Sequence, residues 1–210
     1  MANSIDLQTI FNTVTQQLAE KKDTLNEADS YNHNHGDHMV KIFNLVQNAV
    51  AQNSDKPVEE QLSYASKEVQ EKGDSGSAAL YAQGLSKAAE RFSGKELNEN
   101  TIGLLLQSLF SAEKPEEKPQ SQDNDIVGSL LSSFMGQSNN ATQTDQSFGF
   151  DDILQAGLTF YKSKQNGDTN MEAIKDAILS GSPMRKTPHR EQSASIVTST
   201  IMNLVGNLKR

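Results

Sequence analysis

The chain has 210 residues, a formal net charge of −8 and a pI near 5.0, a balance that argues against nucleic acid or an anionic membrane surface as a partner, since both demand basic stripes. The absence of cysteine excludes disulfides, thiol catalysis and Cys-based zinc or iron–sulfur sites. Only 35% of residues are hydrophobic and the mean hydropathy is −0.61, so the length allows one sizeable domain while part of the chain is expected to stay unpacked. The first residues, Met1 to Asp6, carry neither the basic nor the apolar region of a secretory signal, and no apolar run reaches the roughly 20 residues of a membrane span. The expectation is a soluble, cytoplasmic protein with no membrane partner.

Helical periodicity recurs along the chain and strand alternation does not. Leu7, Ile10, Phe11, Val14 and Leu18 predict a first helix, with Ser4 as a candidate N-cap. Met39, Ile42, Phe43, Val46 and Val50 repeat the spacing in a second. A third starts near Pro57, carries Val58, Leu62, Ala65 and Val69, and stops at Gly73. The fourth runs from about Ser77 through Leu80, Tyr81, Gly84, Leu85, Ala88 and Phe92 to Gly94, and the fifth carries Ile102, Leu105, Leu106, Leu109 and Phe110. Residues 1–112 thus hold five helices.

Residues 113–149 are rich in Gln, Ser, Asn and Asp and read as a polar, largely disordered insertion. An apolar island there, Ile126, Leu130, Leu131 and Phe134, suggests a short helix docking on the body or on a partner. Residues 150–210 supply three more helices: one with Ile153, Leu154, Gly157, Leu158 and Tyr161, one opened by the capping box Thr169 to Glu172, and a last one with Ile196, Val197, Thr200, Ile201, Leu204 and Leu208. Tyr81 and Tyr161 are expected in the core with their hydroxyls at its rim. The fold class is all-α, a barrel or bundle of about eight antiparallel helices in a single domain.

Three of the four histidines, His33, His35 and His38, fall within Asn32-His-Asn-His-Gly36-Asp-His-Met39, where a loop runs into the second long helix. A helix N-terminus offers free amide N–H groups and a positive dipole end, so one reading is an anion site built on His35, Gly36, Asp37 and His38. A second reading is a metal site: His33, His35 and His38, with Asp29 or Asp37, offer imidazole and carboxylate ligands that suit Zn²⁺, Ni²⁺ or Cu²⁺. A third is a polar capping loop without a ligand, with the His35 ring bonded to a backbone carbonyl. Gly73, Ser75, Gly76 and Ser77 could cradle a phosphate at the start of the fourth helix, or simply end one helix and cap the next. The basic run Arg185 to Arg190 is a source of charge for an anion, or an ordinary solvated loop.

The order of these pieces resembles the nucleotide-binding subunit of bacterial dihydroxyacetone kinases, the all-helical domain sometimes labelled a DAK phosphatase domain. The family pattern Leu-Thr-x-Leu-Asp followed by Gly-Asp-Gly-Asp-His-Gly-x-Asn-Met is similar to Leu25-Asn-Glu-Ala-Asp29 and Asn32 to Met39. Gly-Gly-x-Ser-Gly-x-Leu-Tyr-Gly resembles Gly73-Asp-Ser-Gly-Ser-Ala-Ala-Leu80-Tyr81, and Gly-Asp-x-Thr-Met-x-Asp-Ala resembles Gly167-Asp-Thr-Asn-Met171-Glu-Ala-Ile. The resemblance implies a barrel of eight antiparallel helices whose loops at one end hold ADP or ATP through two Mg²⁺ ions, and a partner subunit that binds the substrate. On the matching positions it implies a nucleotide or phosphate site of His35, Gly36, Asp37, His38, Ser75, Gly76, Ser77, Thr169 and Met171.

Two of the family's metal-binding aspartates correspond here to Asn32 and Asn34, and the loop is two residues shorter after Asp29. An amide oxygen brings no charge to a cation that wants anionic oxygen, so the Mg²⁺ site of Asp29, Asn32 and Asn34 is degenerate. The reading of the sequence is therefore a kinase-subunit-like protein that binds ADP, ATP or another phosphorylated ligand and assists phosphoryl transfer with weakened Mg²⁺ binding. The alternative is a non-catalytic regulatory homologue, metal-responsive through its histidines, with Zn²⁺ or Ni²⁺ in place of Mg²⁺.

Overall fold

The computed structural model describes residues 6–98, 101–110, 179, 182, 184 and 187–207. They belong to one compact unit, and they are all-α: seven helices and, among the described residues, no strand. The insertion at 113–149, the two helices expected at 150–161 and 169–178, and with them Thr169 and Met171, lie outside the described residues.

Helix α1 (Leu7–Glu20) buries Leu7, Ile10, Phe11, Val14 and Leu18, the stripe that its 3.6-residue period dictates. Its N-cap is Asp6 rather than Ser4, because the Asp6 carboxylate accepts from the Thr9 amide at 2.6 Å and satisfies an orphan donor of the first turn. Helix α2 (Lys22–Ala28) is an element the periodicity does not announce: seven residues, of which only Leu25 is buried. Helix α3 (His35–Gln52) starts four residues before Met39, so His35, Gly36 and His38 are helical and not on the loop. It packs against α1, α2 and the two helices that follow.

Helix α4 (Val58–Lys72) has Pro57 as its N-cap and Gly73 as its C-cap, as the spacing predicts. Helix α5 (Gly76–Arg91) begins at a Ser75 cap, and α6 (Ile102–Phe110) is almost wholly buried. Helix α7 (Pro188–Asn207) returns to pack on α1, α2 and α3. It buries Ala194, Val197, Ile201 and Met202 together with the hydroxyls of Ser193 and Thr198, whereas Ile196 and Leu204 sit at the edge of the core. The Thr198 hydroxyl donates to the Ala194 carbonyl at 2.8 Å, so a polar residue is accommodated on a buried face.

The aromatic centre of the core joins four helices, α1, α3, α5 and α6. Tyr81 meets Phe43 edge-on at 5.1 Å between centroids and Phe110 at 6.1 Å, and Phe11 lies 6.3 Å from Phe43. The Tyr81 hydroxyl is not at the rim: the residue is 1% exposed and its oxygen has no partner, and burial pushes the phenol far above its usual pKa. No described helix is long and apolar enough to cross a membrane.

Where α5 crosses α6, Gly84 lets backbone meet backbone. A Cβ at that position would lie 2.6 Å from the Leu109 carbonyl oxygen and 2.8 Å from its Cα, and neither can swing aside. Gly84→Ala is expected to lower stability by about 1–3 kcal/mol through overpacking, read as a lower urea midpoint at an unchanged m-value. A midpoint equal to that of the parent would show the crossing to be looser than this geometry.

Candidate functional site

The loop between α2 and α3 is organised by Asp29, whose side chain is almost fully buried. Its carboxylate accepts from the Tyr31 amide at 3.1 Å and from the Asn34 amide at 3.4 Å, and lies 3.7 Å from Nδ1 of His189 in the first turn of α7. Burial opposes its charge, but the Tyr31 and Asn34 amides, the His189 ring and the Asn32 amide together hold the carboxyl below its usual pKa. The turn leaves Asn32 and His33 exposed, with His33 in the left-handed region at φ 54°.

The N-terminus of α3 is closed by a side chain from the preceding helix. Asn26 Oδ1 accepts from the Gly36 amide at 2.7 Å and the Asp37 amide at 3.2 Å, while its Nδ2 donates to the Asp37 carboxylate at 2.9 Å. Lys22 adds an ion pair to Asp37 at 3.3 Å, and the Asn26 and Lys22 hydrogen bonds hold that carboxyl below its usual pKa. Gly36 is required here, because a Cβ would collide with the Lys22 carbonyl. Two of the amides that make a helix N-terminus attractive to an anion are therefore already engaged.

His35 is buried and stacks on His189 with 4.6 Å between ring centroids. Its Nε2 lies 2.9 Å from Ser193 Oγ, whose own proton goes to the Arg190 carbonyl at 2.9 Å. The hydroxyl thus accepts from His35, which assigns the ring proton to Nε2. The partner is a hydroxyl and not a backbone carbonyl. Burial first, then the neighbouring His189, Arg190 and His38, lower the His35 pKa from 6.5 to about 4 against the opposing pull of Asp29. Ser193 is completely buried and spends its proton on a carbonyl, so this serine–histidine contact is structural and presents no nucleophile.

His38 belongs to a different set of contacts. Its Nδ1 is 3.2 Å from Asp74, which pairs with Lys41 at 2.6 Å; the Lys41 ammonium holds the Asp74 carboxyl below its usual pKa. Asp74 leads directly into α5, where Ser75 Oγ accepts from the Ala78 amide at 3.1 Å and Ser77 is buried in the first turn. Over this turn lies the Arg190 guanidinium, whose Nη2 would be 2.7 Å from a Cβ at Gly76. Arg190 Nε is shielded from water without a partner, as is Thr187 Oγ1 at the start of α7.

The structure thus brings Asp29, His35, Gly36, His38, Ser75 and Gly76 to one end of the bundle, and adds Asn26, His189, Arg190 and Ser193. The three histidines of the loop do not converge: His33 is exposed, His35 bonds Ser193 and His38 bonds Asp74. No group of three His, Asp or Glu side chains able to hold a metal occurs among the described residues. His189 and Arg190 are not a solvated loop but the first turn of α7, with His189 packed on Asp29 and His35 and Arg190 lying over Gly76. Pro188 marks that helix start in the sequence, but nothing in it foretells the contact across about 150 residues. Compared with known proteins, the chain matches no protein-family model and no curated protein.

The buried His35 makes stability depend on pH. With a folded pKa near 4 against 6.5, the unfolded chain takes up a proton that the folded ring refuses. Stability is therefore complete above pH 6.5 and is lost as the pH falls towards 4, by about 3 kcal/mol. The lowered carboxyls of Asp29, Asp37 and Asp74 titrate beneath that window. Urea midpoints between pH 7 and 4.5 should fall in the parent and stay level in His35→Gln. An equal fall in both would remove His35 as the cause.

Proposed function

We propose that the chain is a helical binding protein for nucleoside di- or triphosphates, similar to the nucleotide-binding subunit of dihydroxyacetone kinases. The ligand sits at the end of the bundle formed by the α2–α3 loop, the start of α5 and the start of α7. The observation that carries this reading is the meeting of two motif segments, residues 29–39 and 73–78, beside the Arg190 guanidinium, which pairs with no carboxylate among the described residues. His38 and Asp74 join the two segments at 3.2 Å, and Arg190 lies over Gly76.

The chemistry at this end favours holding the ligand over turning it over. Phosphoryl transfer depends on positioning and on neutralising the developing charge, a task that the resemblance would give to Mg²⁺. Here Asn32 and Asn34 bring no charge, and the Asp29 carboxylate already serves the Tyr31 and Asn34 amides. The donor set does not fit a pair of Mg²⁺ ions. A substrate-binding partner subunit is what the resemblance implies; tight retention of a nucleotide is the activity that the residues themselves support.

Melting curves with ADP or ATP, each with and without Mg²⁺, test the reading. Ligand at 100 times its dissociation constant adds about 2.7 kcal/mol, a shift that a melting curve resolves. ADP is expected to raise the melting temperature of the parent. No shift with either nucleotide at millimolar concentration, with or without Mg²⁺, would overturn the proposal. A rise with Zn²⁺ or Ni²⁺ alone that vanishes in the double variant His33→Ala, His38→Ala would favour the metal-responsive alternative in its place.

A further inference from the structure

We infer that the outer face of α1, with the adjoining part of α3, is the contact surface for a second copy of this chain, the two α1 helices lying antiparallel across a two-fold axis at Asn12. The inference is independent of the nucleotide reading and uses none of the residues at the ligand end.

Charge is spread unevenly over the helices. Of the whole chain 22% is Asp, Glu, Lys or Arg, yet residues 7–19, 42–54 and 192–207 contain none of these and no histidine. These stretches make up most of α1, the C-terminal part of α3 and most of α7, and α1 packs against both of the others. Their solvent-facing positions hold amides: Gln8, Asn12 and Gln16 on α1, Asn44 and Asn48 on α3, Gln192 and Asn203 on α7. Helix α4 shows the ordinary alternative, with Glu60, Lys67, Glu71 and Lys72 turned to water. Depletion of charged side chains is what sets the middle of a protein–protein contact apart from the surface around it.

Charge also selects the occupant. Two copies, each with a net charge of −8, repel wherever acidic surfaces meet, and this neutral face lets them approach. An amide carries both donors and an acceptor, so a face of amides is complementary to itself, which a two-fold axis requires. Gln8, Asn12 and Gln16 stand four residues apart and line one stripe of α1. Antiparallel pairing centred on Asn12 sets Asn12 against Asn12, and Gln8 of one copy against Gln16 of the other. Gln47 Nε2 already donates to Asn12 Oδ1 at 3.2 Å, which leaves the Asn12 N–H groups to donate across the axis. A groove of about 310 Å³ lined by Asp6, Gln8, Thr9, Asn12 and Gln47 opens beside them, with room for the Gln16 side chain of the other copy. The Asp6 carboxylate in its wall is spent on Thr9, accepting from the amide at 2.6 Å and the hydroxyl at 3.1 Å.

Sedimentation velocity of the full chain over a concentration series, at about 0.05 and about 0.5 M salt, tests the inference. The parent should form dimers, more strongly at the higher salt, because screening weakens the repulsion between the acidic remainders. Asn12→Asp keeps an acceptor for Gln47 but sets like charges against each other, and should weaken dimerisation about tenfold or more. Asn12→Lys should do the same, and an equal mixture of the two variants should dimerise again. Gln70→Asp, the same change of charge on the exposed side of α4, should leave association as in the parent. A parent that stays monomeric at millimolar concentration would overturn the inference and leave the face to a partner of other chemistry. So would dimers that weaken with salt, dimers that survive Asn12→Asp, or a mixture of the two variants that remains monomeric. No ligand enters the experiment, so the nucleotide reading stands or falls separately.

Discussion

A carboxylate almost wholly removed from water keeps its charge only if donors surround it, and Asp29 meets that demand in a way that shapes everything near it. Two of its donors are the amides of Tyr31 and Asn34, so the chain must curl back on the carboxylate immediately after α2. That curl places His33 in a left-handed conformation and fixes where α3 begins. Because α3 begins there, Gly36 rides over the Lys22 carbonyl and Asn26 reaches the first amides of the new helix. The third neighbour is His189, which brings α7 against the loop. One buried charge thus couples a tight helix–helix corner to a helix from the other end of the chain.

That coupling explains why the chemistry of the end differs from what its motifs suggest. In the sequence the anion-binding capacity falls on the start of α3, where His35, Gly36, Asp37 and His38 stand. In the fold Asn26 and Lys22 have closed that helix end, His35 is turned into the core against Ser193, and His38 is drawn to Asp74. The uncommitted polar atoms are found across the loop instead, at Thr187 and Arg190 beside α5. In a chain with a net charge of −8, a guanidinium with no carboxylate partner among the described residues is a local departure from the whole.

Much of the fold is legible because burial writes a 3.6-residue period into long helices. The stripes of α1, α3, α4, α5 and α6 appear in the sequence where the core needs them. Helix α2 escapes because seven residues make barely two turns and only Leu25 enters the core; its role is to carry Lys22 and Asn26 to the next helix. The buried face of α7 is blurred by Ser193 and Thr198, whose hydroxyls are satisfied by carbonyls of their own helix and so cost little to bury. Tyr81 misleads for the opposite reason: a phenol is expected to keep its hydroxyl wet, and this one stays dry among Phe43 and Phe110. The site was half legible, since Asp29, His35 and Ser75 carry a recognisable pattern. His189 and Ser193 do not, and Arg190 shows only as the end of a basic run, because their part in it exists only once α7 has docked.

On the proposed reading, Asn32 and Asn34 stand where the dihydroxyacetone kinase subunits carry aspartates, and the docking of α7 bears on that difference. A bound cation neutralises phosphate and can also depart with it, whereas a guanidinium neutralises the same charge while covalently fixed to the chain. A nucleotide site that exchanges the first for the second loses the bridging that draws the phosphates into line for transfer, and keeps the attraction that holds them. With asparagine at both positions, Asp29 is the single buried acid among the described residues, held by amides and His189.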